Sequence, residues 1–373
     1  MPRSTGVQPG VLLPMRIDVQ PKKMDSLLPT DILFQTTYWG QVKSNLGWEP
    51  LAFDFLSEEG QYGDVLVLKR PLGQGVAAAY IPQGPETGPD SDKYGIFLEA
   101  LSQSLIRHMD SDVAFIRYDL PWESPYAADM MQGESWPGCI SPQLQELRMN
   151  IGTKTWNLRK AAIDFTVADA LIVDIARTEE DILSTMKPKC RYNIRLSQRK
   201  GVHVSIASPN QLPSFYDLYL QTARRNGFLE CSDRCFAELF STRTTHPESP
   251  EILFLLAADG SDIVAGAIIA VSGQRAIFLF GASSNEKRNL MGSYAVHWEA
   301  IKLAREKGCL TYDMGSVSPL PDPHHPFYGM HRFKTGFGGT IVHRSGSWDY
   351  LLDSQNYENI RNFELLSSAL IPS

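Results

Sequence analysis

Two hydrophobic periods alternate along the chain, and the order in which they alternate occurs twice. Between Asp31 and Trp48, the residues Phe34, Tyr38, Val42 and Leu46 fall four apart, which predicts one face of an amphipathic helix with Gly47 as its stop. The runs 51–55, 65–70 and 77–81 are short and apolar, with turn residues such as Pro71-Leu-Gly-Gln-Gly75 between them, and they predict strands. Residues 96–109 predict a helix, and 113–118 a buried strand ending in Asp119-Leu-Pro-Trp122. Residues 1–30 carry little pattern and predict a partly extended lead-in. Residues 123–160, with several Pro and Gly and no clear period, predict a loop with a hairpin near its end.

The second series begins with an apolar strand at 170–175. Thr178-Glu-Glu-Asp181 predicts a capping box that opens a helix, which Pro188 interrupts before a basic helix runs on to about Lys200. A strand at 202–207, a helix at 212–226 and three strands at 252–258, 263–271 and 275–281 follow. A long helix at 290–307 and a strand at 310–314 complete the series, before a Pro/His-rich segment, a glycine-rich segment and a strand-like 340–343. Helix, strands, then a long late helix therefore occur twice, which predicts two similar α/β domains.

Composition narrows the class. The 373 residues are 43% hydrophobic and 21% charged, ordinary for a globular chain with a large core and room for about two domains. Five cysteines without regular spacing predict reduced, mostly buried thiols rather than a disulfide framework, and Cys231 and Cys235 have no histidine pair near them at zinc-finger spacing. Met1–Lys23 lacks the apolar core of a signal peptide, and no run reaches the ~18 apolar residues of a membrane span. The expected location is the cytoplasm. A net charge of −7 excludes an extended nucleic-acid coat, so any tRNA contact is expected as a local patch.

Four segments carry candidate chemistry. Lys187, Arg191, Arg195 and Arg199 lie four apart and form one cationic stripe on a helix, with Lys189 and Lys200 beside them and no acid between 187 and 200. That pattern suits phosphate contact, and it equally suits a basic surface helix paired with acids from elsewhere. Arg224-Arg225-Asn-Gly227 reads as a helix C-terminus whose cations favour the dipole. Arg288-Asn-Leu-Met-Gly-Ser before the long helix has the makings of an anion site, but its spacing does not fit a coenzyme A pyrophosphate loop. His331-Arg-Phe-Lys334-Thr-Gly-Phe337-Gly-Gly339 alternates cations and aromatics. Lys334 could meet a developing oxyanion there, or the segment could be a strand edge with snorkelling cations. His324-His325 is read as plain loop, and no metal site, nucleophile elbow, P-loop or dinucleotide fingerprint is present.

Taken in order, these pieces resemble the Fem family of peptidoglycan-bridge transferases. The matching stretches are Phe34-Gln35…Trp39…Lys43…Gly47-Trp48, Tyr80-Ile-Pro-Gln-Gly-Pro85, Met186-Lys-Pro-Lys-Cys-Arg191-Tyr-Asn-Ile-Arg195, Arg225-Asn-Gly-Phe228, Gly281-Ala-Ser-Ser284 with Tyr294, Tyr312-Asp-Met-Gly315 and Arg332-Phe-Lys334-Thr-Gly-Phe337. The resemblance implies an α/β fold of two GNAT-like domains with mixed sheets flanked by helices and no coiled-coil arm. The domains would be residues 1–160, completed by the tail 340–373, and residues 161–339. It implies transfer of Gly, Ala or Ser from aminoacyl-tRNA to the side-chain amine of the third stem residue of UDP-MurNAc-pentapeptide or lipid II, by a monomer that meets the inner membrane face only peripherally and needs no cofactor. By the same resemblance Lys43 and Arg225 hold the diphosphate, Tyr294 and Phe333 bind substrate, Lys334 acts at the transfer site, and Asp119 lies beside the acceptor amine. Lys187, Arg191, Arg195 and Arg199 would take tRNA phosphate. An aminoacyl ester is already activated, so the missing nucleophile set is consistent with this chemistry. The alternatives are an acyl-CoA-dependent N-acyltransferase and a non-catalytic precursor binder.

Overall fold

The computed structural model describes residues 15–127, 140–166, 168–228, 230–244, 246, 248–325 and 328–370. The chain enters through β1 (Ile17–Lys22), which pairs antiparallel with β2, so part of the expected lead-in is an edge strand. Its alternating burial, with Ile17 and Val19 inward, explains the weak sequence signal: two apolar positions are too few to set a period. α1 (Thr37–Asn45) follows a short 3₁₀ turn. The Thr36 side chain accepts from the Trp39 N–H as its cap, and Gly47 lies just past its end at φ 87°.

β2 (Glu49–Ser57), β3 (Tyr62–Gly73) and β4 (Val76–Ile81) form an antiparallel meander. α2 (Tyr94–Leu105) then crosses over to β5 (Val113–Glu123), which pairs parallel with β4 and runs through Asp119 to Glu123, beyond the expected end. The segment expected as a loop contains α3 (Pro142–Met149), capped by Ser141 with Pro142 in its first turn, and a short β6 (Leu158–Lys160). Its apolar residues Leu144, Leu147 and Ile151 are exposed, so it shows no inward-facing period of the kind that marks a packed helix. Cys139 lies outside the described residues.

The second half repeats the order. β7 (Asp169–Asp174) leads to α4 (Glu179–Thr185), whose Thr178 cap accepts from the Asp181 N–H, and to α5 (Pro188–Arg199), with Pro188 in its first turn as expected. β8 (His203–Ile206), α6 (Leu212–Asn226) and an unpredicted α7 (Asp233–Ser241) precede the meander β9 (Glu251–Asp259), β10 (Asp262–Ser272) and β11 (Arg275–Ser283). α8 (Gly292–Glu306) crosses over to β12 (Thr311–Ser316), parallel to β11. β4–β5 and β11–β12 are the two parallel pairs among the described strands, and a long helix bridges each, as a crossover requires.

The end of the chain departs from expectation. His331–Lys334 belongs to a helix, α9 (Tyr328–Lys334), not a strand edge, and buries His331 and Lys334. β13 (Thr340–Leu351) is three times the expected length, and α10 (Ser354–Leu370) follows it. β13 pairs with β7 through Thr340–His343 and with β5 through Arg344–Leu351, so one strand joins the two meanders into a mixed sheet of order β1-β2-β3-β4-β5-β13-β7-β12-β11-β10-β9-β8.

Helices cover both faces, and period-2 alternation decides which side each strand residue meets. On β9, Leu253, Leu255 and Ala257 face Ile194 of α5 and Val296, Ala300 and Ile301 of α8. Phe254 and Leu256 face Phe215 and Leu218 of α6 and Phe236 and Leu239 of α7. Tyr38 and Val42 of α1 join that second layer, the Tyr38 hydroxyl donating to Leu239 O and the Asn45 amide to Glu238 Oε2 at 3.0 Å. Thus α1, although it precedes the first meander, is held by the second half of the chain. Between α7 and β9 the described residues carry no helical arm.

Candidate functional site

Lys334 ends α9 inside the molecule. Its ammonium donates to Ser316 O at 2.6 Å and lies 5.6 Å from the centre of the Phe278 ring. Burial pushes its pKa down to about 8, while Asp313 acts in the other direction. Asp313 is itself buried. Desolvation opposes its charge, yet Arg275, Arg344 and the Gly315 N–H hold it ionised below its usual range. Gly315 has φ 71°, which a glycine adopts without strain, and it lies beside the Lys334 ammonium.

Aromatic rings wall this lysine. Tyr294 in the first turn of α8 meets Phe333 edge-on at 4.9 Å, and Phe333 lies 5.5 Å from both Phe337 and His297. His297, which the sequence reading passes over, is fully enclosed. Burial first, then Lys334, lowers its pKa to about 3, so its imidazole is neutral and shares a 2.9 Å hydrogen bond with the Tyr312 hydroxyl. Tyr294, Phe333 and Lys334, expected together, are brought together.

The cationic helix starts at the same place. The Lys187 N–H donates to Gly336 O at 2.9 Å and its ammonium to Thr335 Oγ1 at 3.0 Å. Arg191 turns back onto the last carbonyls of α4, including Met186 O, while Arg195 and Arg199 are exposed and Arg199 lies over Tyr192. None of Lys187, Lys189, Arg191, Arg195, Arg199 or Lys200 forms an ion pair among the described residues. The reading in which acids from elsewhere neutralise the stripe therefore has no partner here. Asn193, on the same helix, buries a side-chain oxygen that makes no hydrogen bond.

A second cluster gathers around Trp48. Lys43 in the last turn of α1 lies 4.8 Å from the Trp39 ring centre and 4.9 Å from that of Trp48, and forms no ion pair among the described residues. Burial lowers its pKa, and Arg70 adds to that while Cys235 and Cys231 oppose it. Arg70, not expected as a site residue, stacks over Trp48 at 5.2 Å and Phe165 at 5.6 Å and forms no ion pair among the described residues, although Glu364 acts on its charge. Only the fold makes Arg70 visible, because β3 lies beside β2 and so faces Trp48.

Arg225 closes α6 next to the left-handed Gly227, as the helix-end reading expects. Its guanidinium is fixed by neutral groups: Ser283 O at 3.0 Å, Ser283 Oγ at 2.8 Å and Asn285 Oδ1 at 2.5 Å. Burial and the neighbouring Arg288 lower its pKa. Phe278, against Lys334, and Ser283, against Arg225, are five residues apart on β11, ~16 Å at the rise of a strand. The loop after Arg225 runs to Cys231, the neighbour of Lys43.

Asp119, expected beside the acceptor amine, lies enclosed between strands. It is 1% exposed, and its carboxylate already accepts from the Tyr80 hydroxyl, the Ser347 hydroxyl and the Thr166 N–H at 2.8 Å. Burial raises its pKa against these bonds. In this arrangement it braces β4, β5 and β13. Two surface hollows, one lined by Asp217, Asp262 and Lys287 and the other by Arg177, Asp181 and Arg305, contain none of the expected site residues. Among the described residues no cluster of His, Cys, Asp and Glu could hold a metal, and no helix is long and apolar enough to cross a membrane.

The chain is 21% identical to the lipid II:glycine glycyltransferase of Staphylococcus saprophyticus over 398 residues, covering 90% of this chain and 92% of that protein. It is 23% identical to that of Staphylococcus haemolyticus, covering 89% and 91%. The crystal structure of FemX superimposes with a TM-score of 0.68 at 19% identity, over 91% of this chain and 96% of that one, and shares the fold. The model of the FemAB family matches residues 27–246 and 248–364, nearly the whole sequence, and the chain belongs to that family.

Proposed function

We propose that the protein is an aminoacyltransferase of peptidoglycan-bridge synthesis, moving Gly, Ala or Ser from aminoacyl-tRNA to the side-chain amine of the third stem residue of UDP-MurNAc-pentapeptide or lipid II. The observation that carries the reading is a set of cations that form no ion pair among the described residues, Lys43, Arg70 and Arg225, together with a buried Lys334 from which a cationic helix departs. Such cations are suited to polyanions. The related glycyltransferases supply the reaction class.

In the proposed reaction the acceptor amine attacks the ester carbonyl of the aminoacyl-tRNA. The C–N bond forms, the C–O bond to the ribose breaks, and the amine's proton ends on the departing ribose oxygen. No enzyme nucleophile is consumed. Lys334, cationic below pH about 8, faces the negative charge that develops on the carbonyl or leaving oxygen in a water-poor aromatic wall. Lys43, Arg70 and Arg225 hold the acceptor diphosphate. Lys187, Arg191, Arg195 and Arg199 guide the tRNA acceptor arm to the start of α5. Tyr294 and Phe333 shape the site, and Asp119 acts as a positioning residue through Tyr80. No metal or cofactor is needed for this chemistry.

The test is incubation with mixed charged tRNAs and purified precursors, followed by mass spectrometry of the stem peptide. The expected product gains the mass of one aminoacyl group, and ribonuclease treatment of the donor abolishes it. A product formed from acyl-CoA without tRNA would move the protein to the acyl-CoA class.

A further inference from the structure

We propose that Cys231 and Cys235 are a modification site, closed to a disulfide by a hydroperoxide and reopened by a thiol, and that the closed form strengthens the hold of Lys43 on the acceptor diphosphate. The consequence for Lys43 rests on the proposed function; the disulfide does not.

The cysteines among the described residues are of two kinds. Cys190 and Cys309 are buried, and burial pushes their thiols up to about 12 and about 11. Cys231 and Cys235 are half-buried. They stand on either side of the start of α7, where Ser232 is the N-cap, Cys231 the residue before it and Cys235 the third residue of the helix. The Cys235 N–H donates back to Ser232 O at 3.0 Å, so the chain turns between the two cysteines. The turn sets them side by side, and the Cys231 thiol donates to the Cys235 sulfur. The Ser232 hydroxyl donates to the same sulfur at 3.5 Å. Two donors on one sulfur in the first turn of a helix favour its thiolate. The Cys235 thiol is accordingly held below the ordinary thiol range, by Cys231 first and against burial, with Ser232 and Lys43 adding to the effect. Cys231, as the donor, is pushed up. A half-exposed thiolate touching a second thiol supplies both parts of peroxide chemistry, a nucleophile and a resolving partner.

The pair lies between cations of the proposed acceptor site. The Cys231 N–H donates to the Tyr219 hydroxyl at 3.1 Å, which ties it to α6, the helix that carries Arg225 near its end. α7 in turn holds the end of α1, because Arg234 Nη2 donates to Asn45 O at 2.6 Å. Lys43, two residues before Asn45, feels the negative charge of both sulfurs, that of Cys235 more strongly.

The chemistry balances with a hydroperoxide as oxidant. The Cys235 thiolate attacks one peroxide oxygen, the O–O bond breaks, and Cys235 becomes a sulfenic acid. The hydroxide released takes the Cys231 proton and leaves as water. The new Cys231 thiolate attacks the Cys235 sulfur, the S–S bond forms and the S–O bond breaks. The second hydroxide takes a proton from solvent. The two sulfurs together lose the electron pair that the peroxide gains. A disulfide carries no charge, so Lys43 then faces the diphosphate without an anion at its side.

The test is peptide mapping of the full chain by mass spectrometry after hydrogen peroxide, catalase and alkylation of the remaining thiols in denaturant. Cys231 and Cys235 are expected to be joined and unalkylated, with two hydrogens fewer than the reduced pair, and to recover with dithiothreitol. Cys190 and Cys309 are expected to be alkylated in the same sample. Cys231→Ser should stop at a sulfenic acid on Cys235 that dimedone traps, and Cys235→Ser should leave Cys231 unoxidised at that dose. Alkylation of both cysteines after peroxide would overturn the site, as would cross-linking of Cys190 or Cys309 in their place. Oxidation of Cys231 in Cys235→Ser as fast as in the native pair would overturn the role of Cys235. For the consequence, affinity for UDP-MurNAc-pentapeptide is measured before and after oxidation. It is expected to rise about fivefold in the native chain and to stay unchanged in Cys231→Ser/Cys235→Ser. Equal affinity of the two native forms would overturn the link to Lys43. A disulfide that forms in a chain binding no precursor in either state would keep the site and reject the proposed function.

Discussion

At the scale of single residues, the account turns on where a charge is buried. An unfolded lysine titrates near 10.5, and Lys334 in the folded chain near 8. Between those values the unfolded chain binds the extra proton, so this group makes stability rise with pH across that window. Its full cost is present below pH about 8. Catalysis runs the other way, because the cation is lost as pH passes 8. We expect transfer to show a falling limb near pH 8 that Lys334→Arg moves upward, measured as kcat/KM against pH. A limb that stays in place would remove Lys334 from that step. Lys334→Met should lower kcat by about 10²–10³-fold without loss of thermal stability. For the acceptor, Lys43→Ala, Arg70→Ala and Arg225→Ala should raise KM with little change in kcat, and normal KM in all three would refute the diphosphate assignment. Most of these residues were legible as cations in motif-like surroundings. Arg70 and His297 were not, because each owes its environment to strands or rings far away in sequence, and the enclosure of Asp119 was not, because its neighbours Tyr80, Thr166 and Ser347 come from three separate segments.

At the scale of elements, α5 and α10 make the sharpest expectations. Reversing charge at Arg191 and Arg195 should weaken binding of charged tRNA and flatten its dependence on salt by about one log unit per cation, read by filter binding across ionic strength. A slope equal to the native one would take the stripe out of the tRNA path. α10 is tied down by Arg117, which binds Asp349 at 2.7 and 2.8 Å and Glu364 at 2.7 and 2.9 Å, with Tyr357 adding a hydrogen bond to Asp349. Replacing Arg117 by Met would strand a buried carboxylate, and we expect a loss of ~3–5 kcal/mol, measured by urea unfolding. A change under 1 kcal/mol, the scale of an exposed pair, would show that the pair is not buried in solution. The period of hydrophobic residues announced α1, α6 and α8, whose buried residues recur at helical spacing, and the apolar run of α2 announced a helix buried on nearly every side. α9 and α10 escaped notice since their inward sides carry His331, Lys334 and Glu364, polar groups that the fold satisfies but that break any apolar pattern.

At the scale of the whole molecule, the doubled order of elements in the sequence corresponds to two meanders, each closed by a helix and a parallel strand. We propose the division into residues 1–160 with 340–373 and residues 161–339, and the split pairing of β13 supports it. The sharing of one strand could not be read in advance, since hydrophobic alternation predicts a strand but not which neighbours it takes. A shared central strand, with α1 docked on the opposite half, should make the chain unfold in one cooperative step, detected as coincident urea transitions by tryptophan fluorescence and circular dichroism. Separate transitions would mean that the two halves are held only loosely.

The central claim is that Lys334 promotes transfer from a tRNA ester to a precursor held by cations elsewhere in the molecule. Single-turnover transfer of radiolabel from aminoacyl-tRNA to the precursor, compared in native protein and Lys334→Met with precursor binding measured alongside, tests it most directly. The account predicts rapid label transfer by the native chain, near-complete loss in the variant, and unchanged precursor affinity. Native-rate transfer by Lys334→Met, or a label that never leaves the tRNA in the native reaction, would contradict it.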